Sequence, residues 1–303
     1  MTEALADFGC GNGRERRILP DGMTRYRMLV ANPPHGVVDP DRAGATLGLA
    51  PTQFLGKARY TIPEIWFADQ DPAVVDACKA QLEAAGCRVL SLDVGELTSV
   101  PERSRVRTFE FDDNGFVAHC EGGDITVAYH RPLVGIFCRP REPGPDVGAR
   151  RSRRTSSMLS YRDRLLEAAG GVGGVAGEAA DFVPFLDLFV FDGATTGRIA
   201  VFQNAVNFSG LRRVEPRAAN NMQALVESCE GHFVRARFDR RLVGMRVRNR
   251  WGEPRPRGAE HRVGYSFASP GLLELLGSED PRLAEISQPE LSSRLAYLTQ
   301  RAT

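Results

Sequence analysis

From residue 23 onward, the spacing of apolar positions switches repeatedly between the period of a strand and the period of a helix. Residues 25–31 (RYRMLVA) predict a short strand, stopped at Asn32-Pro33-Pro34 because proline has no N–H for a ladder. Residues 39–55 contain a helical segment interrupted by Ala50-Pro51, and residues 62–68 (IPEIWFA) form an apolar run of strand or short-helix length. The clearest element follows. Asp71-Pro72 opens a helix with proline in its first turn, and Val74, Val75, Cys78, Leu82 and Ala85 recur at helical spacing. Gly86 stops the helix, and residues 87–92 (CRVLSL) continue as a strand.

Residues 106–138 change period. VRTFEF, GFVAHC, DITVAYH and LVGIFC are short β runs, parted by Asp112-Asp113-Asn114-Gly115 and Glu121-Gly122-Gly123, and predict two hairpins or a meander. Residues 140–180 are rich in Pro, Gly, Ser and Arg and predict a linker, with one or two helical turns at residues 161–169. Beyond Asp181, FVPFLDLFVFDG and GRIAVFQNAVNF predict a hairpin around residues 193–197. Asp187, alternating with Leu186 and Leu188, is expected to face solvent. Asn220 and Asn221 are expected to cap a helix whose Met222, Leu225, Val226 and Cys229 share one face. HFVRARFD and LVGMRVRN follow as strands, then PGLLELLG and QPELSSRLAYLTQ as short helices.

The resulting fold class is α+β. A disordered extension (residues 1–22) precedes an N-terminal domain (23–139), made of a small three-stranded α/β unit (23–94) and β-hairpins (103–139). The linker (140–180), a second small α+β domain (181–250) and a tail with short helices (251–303) complete the division.

Composition narrows the class without naming a function. Net charge is +1, so any case for nucleic acid rests on a local patch. Lys57 and Lys79 are the only lysines; the Arg bias runs evenly along the chain and reads as a GC-rich coding sequence. Six scattered cysteines lack the paired spacing of a zinc site, and Cys78 and Cys87 read as buried thiols. No signal peptide is expected, and no apolar run approaches the ~18–20 residues of a membrane span. A reducing cytoplasm is the expected location, with no membrane partner and no cofactor or metal.

Residues 42–92 resemble the C-terminal domain of the bacterial ribosomal stalk protein. Leu47-Gly48-Leu49, then Pro63, then Leu82-Glu83-Ala84-Ala85-Gly86-Cys87-Arg88-Val89 carry the likeness. The resemblance implies a compact three-stranded α/β unit that binds partners and does no chemistry. That family recruits factors through a lysine-bearing helix after the leucine-glycine-leucine turn. Here residues 50–54 read APTQF, which removes those charges and is expected to break the helix start, so factor binding does not carry over.

Candidate chemistry is sparse. Residues 7–13 (DFGCGNG) have the form of the first motif of class I methyltransferases, and residues 32–35 (NPPH) that of the catalytic motif of amino-methyltransferases. The spacing is wrong: few apolar residues precede the first motif, and several ~30-residue strand–helix units should separate the two. Arg150, Arg151, Arg153 and Arg154 are the candidate contact for phosphate backbones or an acidic partner, near Ser156 and Ser157. The five histidines are dispersed, although His119 and His130 fall on neighbouring predicted strands. The reading is a non-enzymatic interaction or regulatory protein with a protein partner. An S-adenosylmethionine-dependent methyltransferase is the alternative.

Overall fold

The computed structural model describes residues 27–32, 37–59, 61–141, 183–192, 195–246, 283 and 286–301. The fold is α+β, as expected, with helices packed on two sheets. The expected extension, most of the linker and residues 251–282 of the tail lie outside the described residues.

Residues 27–98 run as β1 (Arg27–Asn32), α1 (Pro40–Leu47), α2 (Pro51–Ala58), β2 (Glu64–Asp69), α3 (Pro72–Ala84), β3 (Arg88–Asp93) and α4 (Val94–Thr98). The three strands form an antiparallel sheet in the order β2-β1-β3. Caps written in the sequence fix the helices. Asp39 accepts from the Asp41 and Arg42 amides at 3.1 Å, and Gly48 ends α1 at φ 67°. Pro51 starts α2 and does not break it: as the first helical residue it needs no amide donor, and Gln53 accepts from the Ala50 amide at 3.1 Å. At the end of α3 the Cys87 amide reaches the Leu82 carbonyl at 2.9 Å, across Gly86 at φ 87°. Asp93 and Glu96 box the start of α4 reciprocally, at 2.7 and 2.9 Å.

Strand β1 is apolar on both faces because both are covered. Leu29 and Ala31 face α1–α3 with Phe54, Trp66, Val75, Cys78 and Leu82, while Met28 and Val30 face a second core with Ile65 and Leu92.

The rest of the chain forms a second, larger sheet. Its strands are β4 (Ser104–Phe111), β5 (Gly115–Cys120), β6 (Gly123–Ala128), β7 (Leu133–Arg141), β8 (Phe185–Asp192), β9 (Thr195–Phe202), β10 (Ala236–Asp239) and β11 (Val243–Arg246). The order is β10-β7-β8-β9-β4-β5-β6, with β11 also on β7. Pairing is parallel for β4–β9, β10–β7 and β11–β7, and antiparallel elsewhere. The expected boundary between domains 23–139 and 181–250 therefore runs through one sheet. The reason lies in β7 and β8, whose near-continuous apolar runs are paired on both edges and covered on both faces.

Helix α5 (Ala218–His232) covers one face, burying Met222, Leu225, Val226 and Cys229 against Leu133, Phe137, Leu186, Leu188 and Val201. Its N-cap is Arg217. Asn221, expected as a cap, lies inside the helix and bonds the Glu215 backbone at 2.7 and 2.9 Å. The strand expected from residue 232 starts only at Ala236, because α5 runs to His232.

Helix α6 (Gln288–Arg301) lies on the other face. The expected helix is there, but it is no peripheral tail: residues 289–299 are buried apart from half-buried Glu290. One core holds Leu291, Leu295 and Tyr297 of α6, Val134, Ile136, Phe185 and Phe189 of the larger sheet, and Met28, Val30, Ile65 and Leu92 of the smaller. Tyr297 stacks on Phe189 with centroids 4.0 Å apart.

Two glycines distinguish close packing from open turn. A Cβ at Gly210 would stand 1.8 Å from the Phe109 carbonyl oxygen, whereas one at Gly122 meets nothing within 4 Å. Urea unfolding of Gly210→Ala should show a loss of ~1–3 kcal/mol, with Gly122→Ala within ~0.5 kcal/mol of wild type.

Candidate functional site

A buried cluster of charge lies where β8, β9, the lead into β4 and α6 meet. Asp187 is fully buried on β8, so the expectation that it faces solvent is corrected. Leu186 and Leu188 point to α5, which leaves Phe185, Asp187 and Phe189 on the face covered by α6.

Three side chains donate to the Asp187 carboxylate. Arg103 grips it with two bonds, Nε to Oδ1 at 3.0 Å and Nη2 to Oδ2 at 2.9 Å. Arg198, from β9, donates to Oδ2 at 2.6 Å, and the Ser293 hydroxyl of α6 donates to the same oxygen at 2.6 Å. Glu290, one turn earlier on α6, accepts from Arg103 at 3.2 Å, Arg198 at 3.4 Å and Arg294 at 3.0 Å. Arg294 also donates to the Leu97 carbonyl in α4 at 3.3 Å, tying the smaller unit to the cluster. Aromatic faces complete the walls: the Arg103 guanidinium lies 4.3 Å from the Phe185 centroid, and that of Arg198 5.1 Å from Phe189.

These charges are committed to one another. Burial alone would raise the Asp187 pKa, but Arg103 and Arg198 outweigh it and bring the group down to about 2. Burial likewise opposes ionisation of Glu290, and Arg103, Arg198 and Arg294 reverse this, so its pKa also falls. Neither carboxylate is poised to trade protons near neutrality, and the arrangement serves to grip α6. A second polar contact holds the helix's far end, where Asp239 accepts from Gln300 at 3.3 Å while Arg241 bonds both Asp239 and Thr299. Among the described residues Arg198 Nε in the cluster, and the hydroxyl of Ser292 on another side of α6, are buried without a hydrogen-bond partner.

Most of the residues singled out from sequence fall outside the described part of the chain. Arg150, Arg151, Arg153 and Arg154, residues 7–13 and residues 33–36 lie outside the described residues. Asn32 ends β1, which is antiparallel to both neighbours, whereas α/β cofactor sites open at the carboxyl ends of parallel strands. His119 meets carboxylates across the β4–β6 strands, Asp124 at 2.9 Å and Glu110 at 3.8 Å. His130 lies beyond the end of β6. Burial raises the thiols of Cys78, Cys87 and Cys120 to about 11, and those of Cys138 and Cys229 further. Among the described residues no group of His, Cys, Asp and Glu has the arrangement of a metal site, and no helix is long and apolar enough to cross a membrane.

On the surface, the outer side of α3 stands apart. Val75, Cys78 and Leu82 are buried, and the opposite side presents exposed Ala73, Ala77, Ala80 and Ala84, with Val74 beside them at 43% exposure. These alanines follow 4-3-4 spacing and form one stripe along the 13-residue helix, which is about 20 Å long. The charges of α3 keep to one flank of the stripe, where Asp76 lies next to Lys79 and Glu83, which pair with each other at 3.7 Å.

The chain matches no protein-family model, no curated protein and no solved structure.

The Asp187 pKa, depressed on folding from its ordinary value of 3.8, gives a signed expectation. Its contribution is fully present above about pH 4 and is lost as pH falls towards 2. Asp187→Ala should cost ~3–5 kcal/mol at neutral pH by stranding two guanidiniums, against ~0–1 kcal/mol for Arg107→Ala, which breaks the exposed Arg107–Glu121 pair. Denaturant titrations at pH 7, 4 and 2.5 should show the Asp187 gap narrowing only across the lowest step.

Proposed function

We propose that the chain is a non-enzymatic interaction protein that presents the outer side of α3 to a protein partner. The exposed alanine stripe carries the reading. Its small side chains offer a smooth surface on which another backbone can approach closely, while the helix's own core contacts are satisfied on the other side. Small side chains lose little rotamer freedom on being covered, so such a face is inexpensive to bury.

Two further features support the reading. The residues that resemble the stalk-protein domain fall at the joints of the unit: Leu47-Gly48-Leu49 between α1 and α2, and residues 82–86 where α3 turns into β3. The likeness implies a small unit used as a docking module. Cys78, Cys87, Cys120, Cys138 and Cys229 are free thiols, which suits a reducing cytoplasm.

Capture on tagged full-length protein from native lysate, with nuclease, in low and high salt, tests the reading. Wild type should retain a protein through both treatments. Ala77→Arg and Ala80→Glu should lose it at least tenfold, with circular dichroism and melting temperature unchanged. Retention by both variants would remove α3 from the interface. Recovery of nucleic acid alone, abolished by alanines at Arg150, Arg151, Arg153 and Arg154, would replace the protein partner with a polyanion.

A further inference from the structure

We propose that α6 is a displaceable internal ligand, a helix seated in a groove between the two sheets whose release opens that groove while both sheets stay folded. The first ground is the way each sheet is supported. The smaller one keeps the core it shares with α1–α3, built on Leu29, Phe54, Trp66 and Leu82. The larger keeps the core it shares with α5, built on Phe109, Leu186, Leu188, Met222 and Leu225. Among the described residues, α6 contributes to the middle core alone, through Leu291, Leu295 and Tyr297.

The second ground is the chemistry of the seat. Helix α5 is held by an apolar stripe. Helix α6 instead buries Ser292, Ser293, Arg294 and Thr299 among its apolar residues, and half-buries Glu290. No strand ladder includes it, and its polar fixings run through side chains: Ser293 to Asp187, Glu290 to Arg103 and Arg198, Arg294 to Leu97, Gln300 to Asp239. Such pairs fix orientation and register well but add little net free energy, because the partners regain water when they separate. On release Arg103, Asp187 and Arg198 would still satisfy one another.

The third ground is that the seat is imperfect. Ser292 Oγ, on the helix, and Arg198 Nε, in its wall, are buried without a partner. Each unmet group weakens docking. A groove that asks for a carboxylate, a hydroxyl three residues on and an aromatic ring four further, as Glu290, Ser293 and Tyr297 supply, is a helix-recognition site. Its cis occupant is held tightly enough to be specific and loosely enough to leave.

Hydrogen exchange read by mass spectrometry on the full-length protein, through a series of sub-denaturing urea concentrations, tests this. Amides of residues 288–301 should exchange through an opening that leaves β8, β9 and α5 protected, with protection at least tenfold lower. Glu290→Gln, which removes the ionic partner of Arg103, Arg198 and Arg294, should speed α6 exchange about tenfold further without touching β8 and β9. Ser292→Ala, which deletes an unpartnered hydroxyl, should slow it. Merging of α6 with β8 and β9 into one exchange isotherm, in wild type and both variants, would overturn the proposal. It would show that the helix leaves only when the whole molecule unfolds.

Discussion

A carboxylate shut away from water persists only where cations come to it, and at Asp187 both come from the β9 side of the strand. Arg198 sits on the next strand, β9, and Arg103 enters where β4 joins β9 in parallel. That parallel pairing connects the β4–β6 meander to the β7–β9 strands, so the two guanidiniums stand at the seam of the larger sheet. The same carboxylate accepts from Ser293, and the same guanidiniums hold Glu290, which sets the rotation and height of α6 above the strands. Arg294 then reaches α4 and links the smaller sheet. One buried acid thereby organises contacts among parts of the chain that share no ladder. Arginine is the cation for such a place, because each guanidinium stays charged and offers several donors in a plane, which lets Arg103 serve two carboxylates together.

Apolar burial supplies the driving force around this centre. Strands covered on both faces, β1 in the smaller sheet and β7–β9 in the larger, give a layered molecule, with α1–α3 outside the smaller sheet, α5 outside the larger, and α6 in the core common to both. The middle layer differs in kind from the outer two. Outer layers are stripes of Leu, Val, Met and Phe that tolerate adjustment, whereas the middle one mixes those residues with charges that have one good arrangement. Hydrophobic contacts stabilise, and the ion cluster selects.

How much of this is legible in the sequence depends on the range of the signal. Local signals carry through to the fold: Asp71-Pro72 opens a helix, Gly86 closes one, and the turns around residues 112–115 and 121–123 separate strands. Long-range partners are not written locally. The meander and the later hairpin look like separate modules because their sheet pairing, β4 with β9 and β7 with β8, spans a stretch with a linker's composition. Asp187 looks like the polar position of an alternating strand. Yet its neighbours Phe185, Leu186, Leu188, Phe189, Val190 and Phe191 are apolar on both sides of the strand, and an isolated acid in such a run is the mark of a buried, paired charge. Nothing near it in sequence names the partners. The run SSRLAYLT suggests a peripheral helix if its polar residues are given to water, whereas in the fold Ser293 is given to Asp187, Arg294 to Leu97 and Glu290, and Thr299 to the Ala296 carbonyl. The α3 stripe is visible only in its buried half, since alanines at helical spacing carry no outward signal until the fold shows which side is covered.

The ion cluster has a consequence for the order in which the molecule assembles. The bond from Arg103 to Glu290 joins residues 187 positions apart, and that from Arg294 to Leu97 spans 197. Closing such distances costs more chain entropy than forming the β8–β9 hairpin, so the hairpin and the β4–β6 meander have the kinetic advantage. Asp187 and Arg198 lie on adjacent strands of that hairpin, so their pairing requires no long loop closure. Seating α6 over that pair is then a dehydration event. Water leaves a groove already lined with its final charges, and the helix that expels it is chosen by whether it brings a carboxylate and a hydroxyl to the right two places.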